Sequence, residues 1–63
     1  NLEKKIFIWR ENEAKRRNVP PNNVFRDKEL KRLKNNIESK NFNEFKWIIE
    51  NEESRSNFLL NFR

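Results

Sequence analysis

The side chains of this chain that have chemistry to offer are mainly cationic. Two basic groups stand out in the sequence, and their members are Lys15, Arg16, Arg17, Lys28, Lys31 and Arg32. Ammonium and guanidinium groups bind phosphate oxygens through charge and hydrogen bonds. These six residues are therefore the candidate contacts for a nucleic-acid backbone.

Residues suited to catalysis are missing from the sequence. It has no cysteine, histidine or tyrosine to act as nucleophile or base, and its serines (Ser39, Ser54 and Ser56) have no histidine partner. It also has no glycine, which a phosphate-cradling loop requires. The sequence therefore predicts a chain that is not an enzyme and that binds no cofactor and no small molecule.

Glu50, Glu52 and Glu53 form the densest group of carboxylates. Two-metal nucleases need carboxylates that converge on the ions, whereas these three crowd a predicted turn. Acidic residues there favour a helix N-terminus or improve solubility. We therefore expect no metal site in this chain.

The basic charge is concentrated in one part of the sequence. Residues 1–40 hold twelve Lys or Arg and six acidic residues, whereas residues 41–63 hold three and four. Such asymmetry is typical of a nucleic-acid partner, but a solubilising surface gives it too. Cations in the last turn of a helix also complement its dipole, and a cationic helix face is often simply solvated. Both interpretations stay open.

The totals predict one small domain over residues 1–63. Because the first residue is Asn1 and not methionine, we expect a fragment of a larger chain. No apolar run approaches the ~20 residues of a membrane span, so no membrane partner is expected. The lack of cysteine fits a reducing, cytoplasmic interior.

Hydrophobic spacing predicts an all-α bundle of four or five short helices. Apolar residues recur at helical intervals, and without glycine the tight turns of a strand-rich domain are disfavoured. Helix 1 should span Leu2 to Arg17, helix 2 Lys28 to Ile37, and helix 3 should end near Glu50. Asn41 with Glu44 suggests a capping box for helix 3, and a last short helix should have Ser54 as its N-cap.

The connector between the first two helices should be stiff. Asn18 is suited to end helix 1 in a left-handed conformation. Pro20 and Pro21 cannot continue a helix and impose an extended path. Val19 and Val24 should point inward and hold the connector against the bundle.

Arg10 falls within the apolar stripe of helix 1. A buried charge without a partner is very costly, so we expect Arg10 to be a structural clamp on the connector, with Asp27 as a possible partner. Contact with a phosphate is the alternative. Asp27 is also a candidate N-cap for helix 2.

Trp47 lies off the apolar stripe of helix 3. The ring should either cover an edge of the core or stand exposed. An exposed tryptophan is able to stack a nucleic-acid base.

The stretch from Trp9 to Leu33 resembles the HRDC domain, a helical module of RecQ-type helicases and of ribonuclease D. The matching residues are Trp9-Arg10, Ala14, Asn18-Val19-Pro20-Pro21, Val24-Phe25, Asp27, Leu30 and Leu33. The tryptophan-arginine pair and the following alanine are more similar to the ribonuclease D branch. The second half departs from the pattern: Lys34 replaces a usual alanine, no proline precedes helix 3, and residues 51–54 replace a glycine-containing turn.

The resemblance implies an auxiliary nucleic-acid-binding or substrate-positioning domain attached to a catalytic one. In the ribonuclease D case the catalytic domain is a metal-dependent 3′–5′ exonuclease that acts on structured RNA. RNA is then the expected partner ahead of DNA, with the protein's own catalytic domain as a second partner. The divalent metal would belong to that domain alone. The alternatives are the HRDC domain of a RecQ-like helicase and a protein-protein or interdomain scaffold without nucleic-acid contact.

Overall fold

The computed structural model of the chain describes residues 1–62, which form a bundle of four α-helices. The helices are α1 (Leu2–Arg17), α2 (Leu30–Glu38), α3 (Phe45–Ile48) and α4 (Glu52–Phe62). Single 3₁₀ turns lie at Pro21–Asn23, Asp27–Glu29 and Phe42–Glu44. The described residues contain no strand, and the predicted all-α bundle is confirmed. No helix among residues 1–62 has both the length and the apolar character that crossing a bilayer requires.

Helix α1 has the bounds that the sequence predicts. The Asn1 side chain accepts a hydrogen bond from the Lys4 backbone N–H at 3.4 Å, and this caps the N-terminus. Asn18 ends the helix at φ 57° and ψ 48°, and its N–H donates to the carbonyls of Ala14 and Lys15. Asparagine tolerates this left-handed conformation better than most residues, so the predicted helix end is confirmed.

The connector turns sharply after α1 and drives two apolar side chains into the core. Pro20 is extended at φ −62° and ψ 149°, and the 3₁₀ turn begins at Pro21. Val24 and Phe25 are buried behind it, whereas Val19 is only half-buried. This Pro20–Pro21 turn, which we call the elbow, therefore acts through both its fixed backbone and the apolar pair that follows it.

Arg10 is the clamp on this connector that the sequence predicts. Its guanidinium donates to the Phe25 carbonyl at 3.2 Å and pairs with an Asp27 carboxylate oxygen at 2.6 Å. It also lies over the rings of Phe7 and Phe25, at 5.3 and 5.1 Å from their centroids. The side chain is buried although it is charged, and these contacts compensate for its desolvation.

Two predictions about α2 are wrong for the same reason. Asp27 is not an N-cap, because its carboxylate pairs with Arg10 while residues 27–29 form a 3₁₀ turn. The α-helix consequently starts at Leu30 and not at Lys28, and its first turn has no side-chain cap. It ends at Glu38, one residue beyond the predicted Ile37.

The third and fourth helices differ from prediction at their boundaries. Helix α3 has only four residues and follows a 3₁₀ turn, and Asn41 donates to the Glu44 side chain at 3.1 Å where a capping box was predicted. Helix α4 begins at Glu52 because Asn51, not Ser54, caps it: the Asn51 side-chain oxygen accepts the Ser54 N–H at 2.9 Å. With eleven residues, α4 is longer than expected.

All four helices contribute to one core. Its buried apolar members are Ile6, Ala14, Val24, Phe25, Leu33, Phe45, Ile48, Ile49 and Phe58. Phe58 lies between aromatic neighbours, with ring centroids 4.9 Å from Trp9 and 5.1 Å from Phe45, both edge-on. Edge-to-face pairs add stability beyond the area that they bury, and these two join α4 to α1 and α3.

Replacing Arg10 should loosen the connector. We expect Arg10→Ala to lower the free energy of unfolding by about 2 kcal/mol, because a buried charged hydrogen bond and two ring contacts are lost together. Asp27→Asn should cost about 0.5 kcal/mol, since the Asp27 side chain is 79% exposed. Urea denaturation followed by circular dichroism measures both values. Equal losses for the two variants would show that the ion pair, and not the burial of the guanidinium, secures the elbow.

Candidate nucleic-acid interface

A groove of about 540 Å³ lies where the connector faces α3. We call it the Trp47 groove. Its polar and aromatic lining consists of Arg17, Asn22, Asn23, Arg26, Lys28, Glu29, Trp47 and Glu50. The buried residues Val24, Phe25 and Ile48 also line it, so core side chains fix its shape. The connector, which Arg10 attaches to α1, therefore forms one wall of this groove.

Cations outnumber carboxylates in the Trp47 groove. Arg26 and Lys28 are exposed, and neither forms an ion pair with any of residues 1–62. Asn22 and Asn23, also exposed, offer amide donors beside them. Glu29 is drawn toward Arg32, which leaves Glu50 as the acidic group on the opposite wall. The arrangement suits an anionic ligand that enters on the connector side.

The structure brings together two of the six predicted contacts. Arg17 and Lys28 line the Trp47 groove. Lys31 is exposed one turn after Lys28, in the first turn of α2. Lys15 lines a separate hollow of about 670 Å³ against Pro20 and Pro21. The contact of these cations with phosphate stays a prediction.

Arg16 and Arg32 are already engaged by carboxylates. Arg32 bridges Glu29 and Glu44 at 3.6 and 3.5 Å, and so links the start of α2 to the turn before α3. Arg16 pairs with Glu13 at 2.5 Å and with Glu53 at 2.7 Å. A phosphate would have to compete with these carboxylates, so both arginines are less available than the lysines.

The Glu13 carboxylate is the centre of a polar network between α1 and α4. It is buried and accepts from Arg16, and also from the Ser54 hydroxyl at 2.6 Å. That hydroxyl in turn accepts from the Arg17 guanidinium at 3.1 Å. Ser54 is completely buried, so its hydroxyl serves this network and is not available to reagents in solution.

Hydrogen bonding shifts the ionisation of this network. The Arg16 hydrogen bond, assisted by the Ser54 hydroxyl, outweighs the opposing effect of burial and lowers the pKa of Glu13 from 4.5 to about 2. The same contact with Glu13 raises the pKa of Arg16 above its usual range. The carboxylate therefore stays charged at every physiological pH.

Sequence reasoning missed Arg26 and the structural use of Arg16. Arg26 belongs to no helix, so helical periodicity gave no indication of it; its only signal was its place beside Phe25 and two residues before Lys28. The partners of Arg16 and Arg32 come partly from distant segments, which spacing alone does not reveal. Glu52 and Glu53 do occupy the first turn of α4, as predicted. Among residues 1–62, no three acidic side chains gather as a metal ion would require.

The first half of the chain matches a known family. The family model of the HRDC domain covers residues 1–36, more than half of the 63 residues. The match is to the domain and not to one of its branches. No curated protein and no solved structure matches the chain.

The depressed pKa of Glu13 predicts an acid-sensitive link between α1 and α4. A folded pKa below the unfolded one gives stability that is present above pH 4.5 and is lost as the pH falls toward 2. Glu13→Gln should therefore lower stability at pH 7 by on the order of 2 kcal/mol, allowing for solvent screening of half-exposed Arg16. Thermal unfolding between pH 7 and pH 2 should show the variant and the parent converging in acid. Glu38→Gln is the control, because Glu38 is exposed and has no ion pair among residues 1–62; a pH-independent gap for Glu13→Gln would contradict the assignment.

Proposed function

The chain belongs to the HRDC domain family, and we propose that it positions RNA for a ribonuclease D-like 3′–5′ exonuclease. The family places it among small, non-catalytic, nucleic-acid-associated auxiliary domains of helicases and nucleases. The proposal goes further in three respects: the chain touches phosphates directly, the nucleic acid is RNA, and the catalytic partner is an exonuclease.

Unpaired cations beside the connector are the observation that carries the phosphate contact. Arg26, Lys28 and Lys31 are exposed and form no ion pair with residues 1–62. They follow one another within six residues, from the end of the connector that Arg10 clamps into the first turn of α2. Cations on a fixed backbone lose little freedom when they bind phosphates, and such contacts give salt-dependent, largely sequence-independent affinity.

The other basic residues have supporting parts in this proposal. Arg17 lines the same groove while it donates to Ser54, so it joins the binding surface to α4. Arg16 joins α1 to α4 through Glu53, and Arg32 joins α2 to the turn before α3 through Glu44. Lys15 lies on the other side of the elbow and adds long-range attraction more than direct contact.

The assignment to an exonuclease rests on the resemblance of Trp9-Arg10 and Ala14 to the ribonuclease D branch. In such a protein the divalent metal and the catalytic carboxylates belong to a preceding domain. The parent gene tests this directly. A metal-binding exonuclease motif with paired carboxylates, encoded before Asn1, is the expected finding, and helicase motifs there would assign the chain to a RecQ-like parent.

An interdomain scaffold is the second candidate. Phe7 and Ile8 are adjacent on α1 and are 42% and 48% exposed. Exposed apolar side chains of this size favour contact with another protein surface. In that case the domain would pack on its catalytic neighbour through α1, and the basic charge would be incidental.

Binding of single-stranded RNA should weaken steeply with salt. If about three phosphates are contacted, a plot of log affinity against log salt should have a slope of about −2. Lys28→Glu with Lys31→Glu should lower affinity at least tenfold at low salt. Fluorescence anisotropy of a labelled ten-nucleotide strand measures both quantities.

A matched control separates local contact from total charge. Lys4→Glu with Lys5→Glu makes the same charge change at two exposed lysines that do not line the groove. It should lower affinity by only about twofold, because salt screens exposed charges that make no direct contact. Equal losses in the two double variants would contradict a local surface. Binding that does not respond to salt would remove the phosphate mechanism and favour the scaffold.

A further inference from the structure

Trp47 is the largest side chain that this small bundle leaves in solvent. It is 71% exposed, although only 33% of the residues in the chain are apolar. The other tryptophan, Trp9, is half-buried and packs edge-on against the core residue Phe58. An indole that stays in solvent does not contribute the stabilisation that burial of its apolar surface would give to the folded state. Its position is therefore explained better by a ligand than by stability.

The ring is held on a firm support. Helix α3 is only four residues long, but Phe45 and Ile48 on either side of Trp47 are buried in the core. The Trp47 backbone is thus held between two buried residues, one two positions before it and one directly after it, while the indole is exposed. The Lys46 ammonium lies 5.1 Å from the ring centroid. A fixed aromatic face with a cation beside it is a good surface for stacking a planar group.

The surroundings of the ring identify the planar group. Trp47 lines one wall of the Trp47 groove, and the cations Arg17, Arg26 and Lys28 line the other parts of it. An apolar peptide would bury these charges without compensation. A nucleic-acid strand supplies both halves of the required ligand, since its phosphates meet the cations and its bases offer flat faces.

We infer that Trp47 stacks an unpaired base of a single strand whose phosphates lie on the cations of the Trp47 groove. This rests on the proposed function and narrows it to single-stranded substrate. A base inside a duplex has both faces covered by its neighbours, so only an unpaired base is able to place a face on the indole. Stacking is also tolerant of base identity, because every base has a flat face.

The inference is tested by removing the ring while the charges remain. Trp47→Ala should weaken binding of a ten-nucleotide oligouridine about tenfold, and its salt slope should not change, because stacking releases no counterions. Trp47→Phe should retain most of the affinity. Binding to a blunt RNA duplex should be the same for all three proteins. Leu60→Ala is the matched control, since Leu60 is 83% exposed on α4 and does not line the groove.

Two further readouts report the stacking itself. Oligouridine should quench the fluorescence of the parent chain but not that of Trp47→Phe, because the remaining Trp9 is half-buried against Phe58 and does not line the groove. A strand with abasic sugars should bind the parent and Trp47→Ala equally. Thermal unfolding of Trp47→Ala should match the parent, which excludes loss of fold.

The failures of the two proposals are distinguishable. If the Lys28 and Lys31 reversals weaken binding but Trp47→Ala does not, phosphate contact stands and stacking is wrong. If the parent chain does not bind single strands, both are wrong. If Trp47→Ala weakens duplex and single strand alike, the ring shapes the groove and does not select unpaired bases.

Discussion

The bundle depends on the burial of one guanidinium. Arg10 reaches from α1 to the Phe25 carbonyl, so the connector is attached through its backbone at the point where its apolar pair enters the core. The cost of desolvation is met by that carbonyl, by two ring faces and by the carboxylate of Asp27. The Arg10 Nε is nevertheless buried without a hydrogen-bond partner among residues 1–62. Lysine lacks the planar guanidinium that makes these contacts together, and an apolar side chain makes none of the polar ones.

A second polar contact, between Glu13 and Ser54, attaches α4 to α1, as Arg10 attaches the connector to α1. Glu13 and Ser54, 41 residues apart, are both buried and hydrogen-bonded, and Arg16 closes the network from the surface. Buried charges with hydrogen-bond partners thus join the helices in a chain whose few apolar residues give it only a small core. A consequence is that Arg16 is already engaged by carboxylates and is less available to a phosphate. Charge counted along a sequence therefore overstates the charge that a ligand meets.

The sequence predicts the features that neighbouring residues determine. It does not predict those that depend on contacts with distant segments. The bounds of α1 follow from its own spacing and from Asn18, and the Arg10–Asp27 pair follows because a charge in an apolar stripe must have a partner. The start of α4 was missed because Asn51 and Ser54 are both good caps, and the choice is made by Glu13 on another helix. Arg26 was missed because no periodicity applies within a connector. The groove is lined by the connector and by the segment from Trp47 to Glu50, which are distant in the sequence, so no local pattern joins them.

The groove is lined by residues from both the part of the chain that matches the family model and the part that does not. The match ends at residue 36, and the cations Arg17, Arg26 and Lys28 all lie inside it, whereas Trp47 lies beyond it. On the proposed function, the part with the family's pattern supplies the sequence-independent attraction to phosphates. The part beyond the match supplies Trp47, an exposed flat ring that lines the same groove. Since charge alone attracts duplex and single strand alike, a preference between them must come from a group that meets bases. On the proposed function, the cations in the first half of the chain therefore attract a nucleic acid of either kind. Trp47 in the second half makes the chain prefer single strands to duplexes.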